Sequence, residues 1–165
     1  MRRFKNIPVI MLLLVFQVLI AEAAQKADSV LVIKSENRLY LMKDGLAFAS
    51  FQATFGANPV GHKQMQGDER TPEGHYILDY KNPNSQFYKS IHVSYPNAQD
   101  RKNARRLGVD PGGDIMIHGQ ANGWGWASPD AQFFPWTDGC VALSDRNMDK
   151  VWEAVDPGTP IEIRP

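Results

Sequence analysis

The chain has 165 residues, 43% of them hydrophobic, with 18 basic and 18 acidic side chains and a single cysteine. That length suits one domain with its own core, and the balanced charge gives no electrostatic case for a nucleic-acid or anionic-membrane partner. One cysteine excludes a disulfide within the monomer.

Met1 to Ala24 reads as a secretory leader. Arg2, Arg3 and Lys5 make a basic start, Ile7 to Ile20 an apolar run broken only by Pro8 and Gln17, and Ala21-Glu22-Ala23 a small-x-small cleavage signature. The apolar run is shorter than the roughly 20 residues of a spanning helix, which favours cleavage over anchoring. Cleavage near Ala23 divides the chain into a leader, 1–23, and a single exported domain, 24–165, with a slight acidic excess. No cysteine lies near the cut, which excludes a lipid anchor. In an oxidising compartment Cys140 is then an inert buried thiol, half of an intermolecular disulfide, or a reactive nucleophile.

Val30 to Ile33 and Arg38 to Met42 are β-prone runs joined by the polar turn Lys34-Ser35-Glu36-Asn37, so a hairpin is expected. Lys43-Asp44-Gly45 makes a second turn, since Asp-Gly tolerates the positive φ of tight hairpins, and Leu46 to Phe55 continues as a third strand. Gly56 to Gly74 has the composition of a long loop. Further strands are predicted over His75 to Tyr80, Ser90 to Tyr95, Asp114 to His118, Gly139 to Leu143 and Pro160 to Ile163, with a polar helix within Pro96 to Leu107. One amphipathic helix starts at Ser144 or Asp145, because Met148, Val151, Trp152 and Val155 fall on one face; Asp156-Pro157-Gly158 stops it. The sum is a mainly β domain with one packed helix near the C-terminus.

A nucleophilic cysteine needs a base, since a free thiol is only a few per cent ionised at neutral pH, and it needs N–H donors for the developing oxyanion. His118 ends the apolar strand Ile115-Met116-Ile117 and is followed by Gly119. Cys140 follows Gly139 and opens another strand, so both side chains can meet at the end of a sheet. A histidine at a strand end is also a common structural feature. His62, His75 and His92 lack the paired spacing of zinc sites.

Ile117-His118-Gly119 followed by Thr137-Asp138-Gly139-Cys140-Val141 resembles the active-site signature of the L,D-transpeptidase (YkuD/ErfK) family. Gly67 to Tyr76, which contains Thr71-Pro72-Glu73-Gly74, resembles that family's Thr-Pro-x-Gly-aromatic segment. Tyr95-Pro96-Asn97-Ala98 with Asp100-Arg101, and Cys140-Val141-Ala142-Leu143, look closest to its YafK-like branch. The resemblance runs from about Val30 to Ile163 and implies an L,D-transpeptidase-like β-sandwich. It implies a periplasmic thiol acyltransferase of peptidoglycan that needs no cofactor or metal and works as a monomer. Cys140 would attack the third stem residue and expel the terminal D-alanine. His118 would serve as base and then acid, Gly119 would orient it through its carbonyl, and the Gly139 and Cys140 N–H groups, which Gly139 lets approach a carbonyl oxygen, would meet the oxyanion. The acyl group would pass to an amine or to water.

Two positions depart from the family pattern. Asp138 stands where a second histidine is usual, and Ala142 where arginine or asparagine is common. Asp138 can oppose the thiolate by like charge, or hold a substrate ammonium or His118. Hydrolysis therefore stands as the rival to transfer, either trimming stems or releasing a wall-linked lipoprotein, and a non-catalytic wall-binding module is the reading of another class. Trp124, Trp126, Phe133, Phe134 and Trp136 form either a lid or a loop packed on its own aromatics. Arg101, Lys102, Arg105 and Arg106 are a grip for stem carboxylates or a solvated helix face. Thr137, Asp138, Trp136 and Arg101 are the candidate substrate-binding residues.

Overall fold

The computed structural model describes residues 25–123 and 134–165; the leader and Trp124, Trp126 and Phe133 lie outside the described residues. Its strands are β1 (Ser29–Ile33), β2 (Arg38–Lys43), β3 (Leu46–Gln52), β4 (Gly74–Asn82), β5 (Ser90–Val93), β6 (Met116–His118), β7 (Val141–Ala142) and β8 (Thr159–Arg164). Helix α1 spans Ala98–Leu107 and α2 spans Asp145–Ala154. The strands form one mixed sheet in the order β3-β2-β1-β8-β4-β5-β6-β7.

The sheet curls until its two edges meet. Just past β3, Thr54 bridges Ala142 of β7, and Gly56 bridges Thr137. The two layers expected of a sandwich are thus halves of one sheet, packed around Leu39, Leu41, Phe55, Leu78, Ile91, Ile117, Ile161 and Ile163. Alternating burial along β1 and β8 is the period-2 signature of strands with one face inward.

Local sequence explains most of the boundaries. Asp44 and Gly45 both take positive φ, 51° and 78°, which is the geometry a two-residue hairpin requires. Helix α1 opens on a capping box: the Asn97 side chain accepts from the Gln99 and Asp100 N–H groups, and the Asp100 carboxylate accepts from the Asn97 N–H. Ser144 caps α2 by accepting from the Asn147 N–H, and Met148 and Val151 bury the face that the spacing predicts. Trp152 packs at the edge of the core, half-buried.

The last strand is placed where pattern alone does not put it. β8 lies in the middle of the sheet, parallel to β1 (Val30 opposite Ile161) and antiparallel to β4 (Tyr76 opposite Ile161). The chain's end therefore joins the hairpin half to the half that carries His118 and Cys140.

The loop expected over Gly56 to Gly74 has an internal organiser. Asp68 accepts from Lys63 Nζ (2.8 Å), the Gln64 N–H (2.7 Å), the Met65 N–H (3.2 Å) and the Arg70 N–H (3.1 Å). Burial alone would raise its carboxyl pKa, but these donors outweigh it and hold the pKa below the usual range. Thr71 accepts from the Gly56 N–H (3.1 Å), so the Thr-Pro-Glu-Gly segment ties the loop to the closing edge of the sheet.

Candidate active site

β6 and β7 are parallel neighbours, with Ile117 opposite Val141 and His118 opposite Ala142. Because side chains alternate along strands, Cys140, two residues before Ala142, lies on the same face as His118. Both line one cavity of about 1100 Å³, together with Lys63, Glu69, Asp114, Trp136 and Asp138. The Cys140 Sγ accepts from the Met116 N–H (3.4 Å) and its S–H donates to the Asp114 carbonyl (3.6 Å).

His118 is only 3% exposed. Its Nδ1 lies 2.6 Å from the Gly119 carbonyl oxygen, which can only accept, so Nδ1 carries the proton and Nε2 keeps the lone pair. Phe87 packs on the ring at 4.7 Å between centroids, and Trp136 meets it edge-on at 5.7 Å. These contacts fix both ring plane and tautomer.

Glycine is required on both sides of the pair. A Cβ on Gly119 would lie 2.6 Å from Asp145 Oδ1 and 2.8 Å from Tyr88 Cβ. Gly139 has φ +130°, and a Cβ there would lie 2.5 Å from the Arg70 carbonyl oxygen. The Thr-Pro-Glu-Gly loop therefore runs directly behind the cysteine turn, which gives that segment a physical role at the site.

Thr137 pins the turn from within. Its hydroxyl accepts from the Gly139 N–H (3.2 Å) and donates to the Cys140 carbonyl (2.8 Å). The Gly139 N–H, expected to face an acyl oxygen, is thus engaged inside the turn. The Cys140 N–H remains as a candidate oxyanion donor. Ala142 is fully buried and exchanges both backbone hydrogen bonds with Thr54, so it presents nothing to the cavity. Asp138 is exposed on the cavity rim.

The basic cluster lies elsewhere. Arg101, Lys102, Arg105 and Arg106 are exposed on α1, and the Arg101 guanidinium donates to the Pro96 carbonyl; none lines the cavity. His62 accepts from the Glu73 N–H (3.0 Å) and faces Asp100 (3.2 Å), His92 sits against Asp79 (2.6 Å), and His75 is largely exposed.

Burial pushes the Cys140 thiol pKa up; the Met116 N–H opposes this and the Asp138 charge adds to it. Burial likewise pulls the His118 imidazole pKa down, with the Gly119 carbonyl opposing. The signs agree: at neutral pH the resting pair is neutral thiol beside neutral imidazole. Iodoacetamide alkylation of Cys140 should therefore climb only at alkaline pH, later than for an ordinary exposed thiol, and Asp138→Asn should move the climb to lower pH. Stopped alkylation followed by mass measurement across pH 6 to 10 reads both results. A wild-type inflection near neutral pH would contradict the assigned environment.

The curled sheet thus brings a thiol and a tautomer-fixed imidazole to one cavity. Residues 27–163 match the model of YkuD, the L,D-transpeptidase catalytic domain, and the chain belongs to that family. YafK of Escherichia coli (strain K12) is 31% identical over 98 residues, which are 58% of this chain and 32% of that protein. The helical cell shape determining protein Pgp2 from Campylobacter jejuni superposes with a TM-score of 0.60 at 28% identity, covering 81% of this chain and 46% of its own. An L,D-transpeptidase fragment from Xylanimonas cellulosilytica shares the fold, with a TM-score of 0.54 at 15% identity over 84% of this chain and 61% of its own. The chain spans about a third of YafK and about half of Pgp2.

Proposed function

We propose that the chain is an exported peptidoglycan L,D-transpeptidase that uses Cys140 as nucleophile, with residues 24–165 as its mature domain. The observation that carries this reading is the His118 Nδ1 contact to the Gly119 carbonyl, which leaves Nε2 unprotonated in the cavity that holds Cys140. In the first half-reaction the Cys140 S–H proton passes to His118 Nε2 as sulfur bonds the carbonyl carbon of the third stem residue. The C–N bond to the terminal D-alanine then breaks, and His118 returns the proton to the leaving amine. In the second half an acceptor amine attacks the thioester, gives a proton to His118, and regenerates the thiol. The Cys140 N–H serves the oxyanion, while Trp136 and Asp138 meet the substrate. Membership of the family, and likeness to the helical cell shape determining protein Pgp2, support the peptidoglycan stem peptide as substrate.

Hydrolysis is the second reading, and one observation favours it. Cys140 is only partly buried in a cavity of about 1100 Å³, which admits water beside the thioester. Incubating the protein with purified tetrapeptide muropeptides separates the two by mass spectrometry. Transfer predicts 3–3 linked dimers with released D-alanine. Tripeptides alone assign the enzyme to hydrolysis, and intact tetrapeptide would sink both.

A further inference from the structure

The Gly119 carbonyl that holds His118 belongs to the same peptide unit as the Gln120 N–H, and that N–H donates to Asp145 Oδ1 at 2.7 Å. A carboxylate and an imidazole thus sit at opposite ends of a single peptide group. We infer that Asp145, the first residue of α2, is a positioning residue for His118, acting through the Gly119–Gln120 peptide, one peptide unit behind the place a triad carboxylate would occupy. This deepens the proposed cysteine mechanism and rests on it.

Four further hydrogen bonds hold the groups that flank this peptide. Gln120 Nε2 donates to the Leu143 carbonyl (3.0 Å), the Leu143 N–H donates to the His118 carbonyl (2.8 Å), and the Gly119 N–H points at the carbonyls of Phe87 (3.2 Å) and Lys89 (3.3 Å). The strand β7 and the start of α2 therefore grip residues 118–120 from one side, and the β5 approach grips them from the other. Gly119 is required because a Cβ there would collide with Asp145 and Tyr88.

The physics has two parts. Geometrically, the Asp145 carboxylate fixes the plane of the peptide and so the direction of the Gly119 carbonyl. Electronically, an anion at the N–H end draws the amide toward its charge-separated form and increases the negative charge on the carbonyl oxygen, since hydrogen bonds in a chain polarise one another. The oxygen then supports positive charge on His118 as the imidazole takes the thiol proton. Burial disfavours that charge, so the relay acts where it is most needed. Cys140, Asp114 and Asp138 share the cavity with His118, and Asp149 is paired with Lys89 (2.6 Å) and accepts from the Tyr88 hydroxyl (2.9 Å).

Asp145→Asn tests the relay, because asparagine keeps an acceptor oxygen at the same reach and removes the charge without adding bulk. In the full chain, the His118 titration followed by NMR should shift down by about half a pH unit. The Gln120 amide proton should move upfield as its charge-assisted bond weakens. The acid limb of kcat/KM should follow His118 to lower pH, and kcat/KM near neutrality should fall roughly tenfold, a fraction of what a positioned general base supplies. Asp145→Ser provides the same readings in a second background. An unchanged His118 titration and Gln120 shift in a folded variant would overturn the inference, whatever happens to activity. Because both signals are read without substrate, they stand apart from a failure of the cysteine mechanism, which would show as turnover surviving Cys140→Ala.

Discussion

Cys140→Ala is expected to abolish turnover of tetrapeptide muropeptide while leaving the fold intact. Removing a covalent nucleophile that works as a unit with its base costs on the order of 10⁶ in kcat. The structural cost is small, because among the described residues the Sγ makes two long hydrogen bonds, to the Met116 N–H at 3.4 Å and the Asp114 carbonyl at 3.6 Å. The thermal midpoint should move by no more than a loss of about 1 kcal/mol implies. Product analysis by mass spectrometry, with a thermal scan on the same preparation, checks both halves. The raised thiol pKa makes one distinction important: slow alkylation at neutral pH is expected of an active enzyme here. In the proposed mechanism the thiol would give up its proton to His118 during attack rather than before it.

Gly119→Ala is expected to damage both stability and catalysis. The new methyl group would lie 2.6 Å from Asp145 Oδ1 and 2.8 Å from Tyr88 Cβ. Asp145 can turn away only by releasing the Gln120 N–H, and Tyr88 Cβ is too close to the backbone to yield. Overpacking of this kind costs about 1–3 kcal/mol. Moving the Gly119 carbonyl misaims the imidazole, and a displacement near 1 Å costs roughly 10² in rate. Urea unfolding measures the first effect and kcat the second. Wild-type stability with wild-type kcat would mean that residues 118–120 are not held as described.

Much of this fold is legible in local sequence. The Asp44-Gly45 turn, the Ser144 cap and the buried Met148–Val151 face each depend on residues within a few positions of one another. So does the placing of His118 and Cys140 at strand ends, because Gly119 and Gly139 flank them directly. The central position of β8 is not legible, since the Val30–Ile161 pairing joins the two ends of the domain and no local pattern encodes it. The closure of the sheet through Thr54 and Ala142 is hidden for the same reason.

The site shows the same division. Thr137 belongs to the cysteine motif, yet its hydroxyl is spent on the turn that carries Cys140, a role that depends on backbone geometry. Arg101 is attractive by charge, but the helix that carries it does not border the cavity. Asp145 gives only the sequence signal of a helix start. Its contact with the Gln120 N–H depends on β7 leading α2 back across the end of β6. Asp68 likewise sits in an obvious loop, and only the fold shows four donors converging on it.

The central claim is that Cys140 carries the acyl group between donor and acceptor. Intact-protein mass after brief incubation with tetrapeptide muropeptide, quenched in acid, tests it most directly. The account predicts a covalent increment equal to the muropeptide less its terminal D-alanine, located on Cys140 by peptide mapping and absent from Cys140→Ala. Turnover with no adduct on Cys140, or undiminished turnover by Cys140→Ala, would contradict it.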